Sequence, residues 1–550
     1  MVREPGHPSV FSRVLSRRPL PRRVLAALVM SASLVGTAVN LAVAEGTGQV
    51  VLHRGNREEP DSLDPHVSLS VFDANITLDL FVGLTTLDAG GRTVAGAATD
   101  WTVSPDGRVY TFRLRPGLVW SDGTPLTAED FVYSFRRALA PETASMSAYL
   151  LYPIENAVEV NTGAAVGETL GVRAVDPDTV EIRLRHPAPY MLGVLTQPVG
   201  VPVPRHVVET NGRTWSRPGH MVSNGPFLLA EWVPNHHVRI IKNELFYDAA
   251  GVAIDEVFYY PLGNVSAALN RFRAGALDSN PGFPDHKLEW LRENLPGSVR
   301  LGPTLTTVYL ALNVERPPLD DPRVRRALAL AIDREKIVTK LRKQEEPAAY
   351  SLVPPGIESY GSPSQAPFKN MPMEHRLDEA ARLLKAAGYG PENPLEIDIL
   401  YIAVGGWKKT GIVVASMWRA IGVHARLMSC DGKVHTSSLL IGDYEVGLIS
   451  WSADFADASN FLEIQKSSSA ANFPRWSNEI YDRLLDEADL EPDPGVRADL
   501  LHRAEAVLME DLPIIPLYHP GSTSLVAPYV EGWVDNPLDV HPSRWLSLER

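Results

Sequence analysis

Cysteine is almost missing: Cys430 is the only one in 550 residues. An intrachain disulfide is therefore impossible, and so is a zinc cluster built on thiolates. The lack does not speak against export, since a chain this long can bury enough surface to be stable without cross-links. Cys430 follows the alternation Val423-His424-Ala425-Arg426-Leu427 and reads as a small strand-end or core residue rather than a reactive thiol. Positive charge is also in deficit, with 52 Lys and Arg against 66 Asp and Glu, a net −14. Six arginines and one acidic residue precede Ala44; without that segment the count is 46 against 65, or −19. Such a body repels nucleic acid and anionic membrane surfaces, so no nucleic-acid partner is expected. Catalytic signatures are absent as well: no HExxH, no GxSxG and no GxGxxG. Gly405-Gly406-Trp407-Lys408-Lys409-Thr410 ends like a phosphate loop but lacks the first glycine at the required spacing. The acidic residues are too many and too scattered for one pair to stand out as acid and base. These absences favour binding over catalysis, with no cofactor and no metal expected. A secreted peptidase is the alternative from another class.

The apolar run from Val24 to Ala44 is interrupted by Ser31, Ser33, Thr37 and Asn40, which argues against a membrane span. Arg17, Arg18, Arg22 and Arg23 precede it, and Ala42-Val43-Ala44 has the small-x-small form of a signal-peptidase site. Residues 1–44 are therefore expected to be a cleavable signal peptide. Ser16-Arg17-Arg18-Pro19-Leu20 also has the look of a twin-arginine motif, so either export route fits. No cysteine lies near the cleavage site, so no lipid anchor is expected. At about 150 residues per domain, the remainder allows two to four domains.

What is present is most informative from Trp120 to Leu139, WSDGTPLTAEDFVYSFRRAL. Ser121-Asp122-Gly123 supplies a turn, and Thr127 and Asp130 have capping-box spacing, so a helix should begin at Ala128. Phe131, Phe135, Ala138 and Leu139 give it one buried face. Two hairpins flank this helix, 101–114 through a Pro-Asp-Gly turn and 172–184 through Asp176-Pro177-Asp178, suggesting a small α+β insertion. A helical stretch is expected over Asn75–Phe81. Further on, strands Phe227–Trp232 and Val238–Ile241 meet at a turn carrying His236-His237, which reads as a solvated loop rather than a metal site. Ile397–Tyr401 and Val423–Leu427 on either side of a helix over Lys409–Ala420 imply parallel pairing in an α/β lobe. The run Thr304–Asn313 is taken as a first crossing into that lobe, and Ile514–Tyr518 as the strand that brings the chain back.

Trp120–Leu139 closely resembles the signature of the solute-binding proteins that serve Opp/Dpp-type ABC importers, the bacterial extracellular solute-binding proteins of family 5. Ser62-Leu63-Asp64-Pro65-His66, Asn224-Gly225, Asp321-Pro322-Arg323-Val324-Arg325, Ala331-Ile332-Asp333-Arg334 and Ser450-Trp451-Ser452-Ala453-Asp454-Phe455 extend the likeness over the whole mature chain. It implies a periplasmic binding protein type II-like flytrap, with two α/β lobes plus an inserted third α+β domain. The implied boundaries are 45–82, 204–303 and 522–550 for domain I, 83–203 for domain II and 304–521 for domain III, the lobe that closes on the ligand. It also implies a periplasmic monomer that takes up an oligopeptide ligand and meets an ABC permease and ATPase complex in the inner membrane.

Taken alone, Asp454 reads as a turn or cap carboxylate. The resemblance implies that it pairs with a peptide's α-ammonium group, a charge-assisted contact available to a carboxylate at a strand end. It further implies that backbone at Ser450 and Ser452, and across the cleft at Val71, pairs with an extended ligand by strand addition. Trp451 and Tyr309 are each core or pocket wall. Where the family has basic side chains able to meet the ligand's carboxylate, this chain has Trp407 and Leu448, which offer apolar surface instead. Burying an unpaired carboxylate is costly, so ligands are expected to end in solvent or to lack that charge, unless another cation such as Arg342 or Lys343 reaches it. The family's disulfide pair aligns with Thr306 and Ser452, and a pocket-wall tryptophan of the family aligns with Gly432. A non-peptide or carboxyl-blocked amine in the same fold is the alternative ligand.

Overall fold

A computed structural model of the chain describes residues 48–550 apart from Leu69 and Val404, so the signal-peptide reading lies outside the described residues. The signature segment folds as its residues require. The helix Ala128–Leu139 starts after Thr127 with the Thr127/Asp130 capping box in place, and it buries Phe131, Phe135, Ala138 and Leu139. It packs on a four-stranded antiparallel sheet, edge to edge Ala98–Val103, Val109–Leu114, Thr179–Arg183 and Val172–Asp176. The two hairpins thus share one sheet under one helix. Gly107 ends the first turn at φ +69°, a conformation that favours glycine.

Two larger sheets carry the rest. One has seven strands in the order Val299–Gly302, Ser522–Val526, Ser279–Pro281, Val51–Gly55, Glu256–Tyr260, His237–Lys242 and Phe227–Val233. His237 belongs to a strand here, with its ring mostly covered and Nε2 3.1 Å from Glu231, so the solvated-loop expectation fails for it. The other sheet has five strands, Val423–Cys430, Leu395–Ile402, Val446–Ser452, Thr306–Leu312 and Ile514–Tyr518. Leu395–Ile402 and Val423–Cys430 pair in parallel across the helix Trp407–Arg419, as the β-α-β order predicts.

The chain passes between the two large sheets twice. Gly302 to Thr306 carries it out and Tyr518 to Ser522 carries it back, and Thr304 Oγ1 donates to the Pro520 carbonyl where the two crossings touch. The opening helix runs Val71–Leu80, four residues earlier than expected, because Ser70 and Asp73 form a capping box of their own. The helix Gly432–Ile441 was not expected at all. Among the described residues no helix is long and apolar enough to cross a membrane.

Candidate functional site

The strand Val446–Ser452 sits in the middle of the five-stranded sheet, and its burial changes along its length. Val446 to Ile449 are buried, whereas Ser450 and Ser452 are exposed. On one side the strand pairs with Thr306–Leu312 to its very end, where Thr306 lies opposite Ser452. The two hydroxyls there are 2.9 Å apart and share a hydrogen bond. On the other side, pairing with Leu395–Ile402 stops at Gly447. The far edge of 448–452 therefore has no strand neighbour among the described residues, which leaves backbone donors and acceptors open to an added strand.

Asp454 follows two residues later, half-buried. Its Oδ2 accepts a 2.7 Å hydrogen bond from the Tyr149 hydroxyl, which comes from the inserted layer. Asn460 Nδ2 lies 3.5 Å from the same oxygen, and Asn460 Oδ1 accepts from Trp451 Nε1 at 3.0 Å. Gln197 Nε2 donates to the Asp454 carbonyl at 2.8 Å. Burial and the Asp454 charge both push the Tyr149 phenol far above its ordinary value, so it stays a donor. Beside these contacts Phe455 stacks on Tyr190 of the inserted layer, with centroids 4.6 Å apart and planes at 12°. The Arg497 guanidinium lies 5.7 Å from the Tyr190 ring and forms a buried, two-pronged pair with Asp457 at 2.9 Å.

Of these residues, Asp454 and Gln197 line a cleft of about 410 Å³. Asp454, Ser452 and Val71 line it together, Val71 being exposed at the first turn of its helix. The opposite wall comes from the seven-stranded sheet and the C-terminal segment, chiefly Arg54, Arg57, Trp533 and His541. Arg54 is buried, with Nη1 donating to the His541 carbonyl at 2.9 Å and to Ser543 Oγ at 2.8 Å. Nothing in the sequence pattern of residues 530–545 marks that wall. Trp533 and His541 follow the strand Ser522–Val526, which threads into the seven-stranded sheet.

The other expected site residues fall elsewhere. Ser450 and Trp451 sit on the same strand but outside the lining of the cleft, with Trp451 partly covered and hydrogen-bonded to Asn460. Tyr309 is fully buried in the core with Ile449 and Phe461, so it is core and not pocket wall. Leu448 corrects an expectation too: it is fully buried among Val414, Trp418 and Ile399 and offers no apolar surface to a ligand. The strand's alternation decides this, since Leu448 shares a face with Val446. Trp407 starts its helix and packs against that same core. Arg342 is committed to the Glu346 carboxylate through two 2.8 Å contacts and lies 5.0 Å from the Tyr518 ring.

The family model described as bacterial extracellular solute-binding proteins, family 5 Middle, matches residues 92–473. The chain is 37% identical to the probable deoxycholate-binding periplasmic protein YgiS of Escherichia coli (strain K12), over 91% of this chain and 94% of that one. It is 36% identical to the periplasmic murein peptide-binding protein MppA of the same organism, over 90% and 93%. The crystal structure of Haemophilus influenzae OppA in complex with RPPGFSPFR superposes with a TM-score of 0.77 at 32% identity, covering 91% of this chain and 99% of that one.

Proposed function

The chain belongs to the bacterial extracellular solute-binding proteins of family 5, and from that membership we propose that it captures oligopeptides in extended form between its two sheet lobes for delivery to an ABC importer. Members of the family bind solutes rather than transform them, and this chain is a binding protein and not an enzyme. The observation that carries the peptide reading is Asp454, a half-buried carboxylate at a strand end that lines the cleft and keeps Oδ1 free of protein donors among the described residues. A peptide's α-ammonium takes that oxygen. The open edge at Ser450 and Ser452, with Val71 opposite, supplies main-chain pairing that tolerates any side-chain sequence. The MppA and OppA relatives are periplasmic peptide binders by name, which supports the same class of ligand here.

In this reading residues 45–82, 204–303 and 522–550 form domain I, 83–203 domain II and 304–521 the closing domain III. Residues 1–44 direct export to the periplasm, where the monomer meets a permease and ATPase complex in the inner membrane. The protein incubated with a mixed peptide pool should retain peptides that mass spectrometry recovers intact; turnover would overthrow the reading. Asp454→Asn removes the counter-ion of a charge that becomes buried on closure, a cost of about 3–5 kcal/mol, or more than a hundredfold in affinity. N-acetylated peptides should fail likewise. Calorimetric titration in which the Asn variant binds a retained peptide as tightly as wild type refutes the role of Asp454.

A further inference from the structure

We propose that Arg57, on the seven-stranded lobe, is the partner of the ligand's carboxylate and so sets the chain's preference for free-acid peptides. The proposal rests on the peptide reading of the cleft and adds its second charged contact. Four observations converge on this side chain. Arg57 lines the same cleft as Asp454, from the opposite wall. Its guanidinium has no hydrogen-bond or ion-pair partner among the described residues, whereas the other lining arginine, Arg54, is held by His541 and Ser543. Arg342, one of the cations expected to stand in near the Trp407 end, is spent on Glu346. Finally, Arg57 has φ +50°, a left-handed conformation that costs a residue with a Cβ about 1 kcal/mol and persists only where the surroundings enforce it.

The enforcement is visible. Asn56, buried beside it, donates its backbone N–H to the Tyr260 carbonyl at 2.7 Å and its side-chain amide to the Phe72 carbonyl at 3.0 Å. The turn after the strand Val51–Gly55 is thereby fixed against the helix that carries Val71. The Arg57 side chain extends over Gly282, with Nη1 3.9 Å from where a side chain on that glycine would start, next to Pro281 on the cleft wall. A planar guanidinium with its donors unspent matches a carboxylate in two-pronged geometry. With Asp454 on one lobe and Arg57 on the other, a zwitterionic ligand spans the two lobes, and its end charges favour the closed arrangement only when both are present.

The test competes synthetic tri-, tetra- and pentapeptides, each as free acid and as C-terminal amide, for the purified protein, with bound species read by native mass spectrometry. Wild type should enrich the acid of a pair by roughly tenfold or more, the scale of one hydrogen bond to a charged group. Arg57→Gln should bring acid and amide to parity while amides bind as they do to wild type, and Arg57→Lys should restore part of the acid preference. Because Arg57 is exposed and partnerless, these variants keep the fold, which far-ultraviolet circular dichroism verifies. Parity in wild type, or an acid preference that survives Arg57→Gln, overturns the proposal while leaving peptide capture standing. If wild type retains neither the acid nor the amide of any peptide, the peptide reading itself fails, and this assignment with it.

Discussion

Tyr149 donates to the carboxylate proposed to meet the ligand's ammonium, yet the two do not compete for the same lone pairs. The phenol holds Oδ2 and Asn460 flanks it, which leaves Oδ1 without a protein donor among the described residues. Tyr149→Phe removes the bond that orients Asp454 without adding bulk. The loss of one hydrogen bond to a charged group, about 1.5 kcal/mol, predicts an order-of-magnitude smaller advantage of free-amine over N-acetylated peptides. Titration of one peptide in both forms against both proteins checks this, and an unchanged ratio refutes it. The aspartate itself was legible in the sequence through the Trp451–Asp454 wording. Tyr149 and Arg57 were not, because neither makes its contact within its own element. Tyr149 meets a residue 305 positions away, and Arg57 depends on how the strand Val51–Gly55 registers against Glu256–Tyr260.

Local signals are legible where the chain caps itself. Thr127/Asp130 places a helix start correctly, because that interaction closes within a turn. The helix Gly432–Ile441 has no apolar stripe to mark it, because Val434, Leu440 and Ile441 are exposed. The crossing segments give a further prediction. His519, in the returning one, is buried, and burial lowers its pKa to about 4 from 6.5. Thr307 Oγ1 spends its proton on the Leu352 carbonyl, so it accepts from His519 Nδ1–H at 2.9 Å, which fixes a neutral tautomer. A base held below its unfolded pKa contributes stability that is complete above pH 6.5 and is lost as pH falls towards 4, because the unfolded chain alone takes up the proton. His519→Gln should therefore flatten the decline in stability between pH 7 and pH 4 by up to roughly 3 kcal/mol. Denaturant unfolding at the two pH values measures it, and parallel declines would refute it.

Among the contacts between layers beyond the crossings, Tyr190 stacks on Phe455 under Arg497. This contact bridges the inserted layer and the five-stranded lobe, next to Asp454. An aromatic pair contributes about 0.5–1.5 kcal/mol beyond its buried area. If closure carries that contact, Tyr190→Ala shifts the population towards open molecules and weakens peptide binding several-fold. Small-angle scattering of the ligand-free variant should show a larger radius of gyration than wild type; identical curves would place the contact outside the closing motion.

The order in which the chain visits its sheets also decides how it bears load. Everything from Pro303 to Gly521 leaves and re-enters through neighbouring antiparallel strands, Val299–Gly302 and Ser522–Val526, which are paired from Val299 opposite Leu525 to Gly302 opposite Ser522. That pairing is a clasp across the neck of a long excursion. Tension between residue 49 and residue 550 runs through the seven-stranded sheet, and the five-stranded lobe feels none of it until the clasp unzips. Pulled from its ends in an optical trap, the molecule should therefore yield in two ordered extensions, with the lobe that carries Asp454 giving way last.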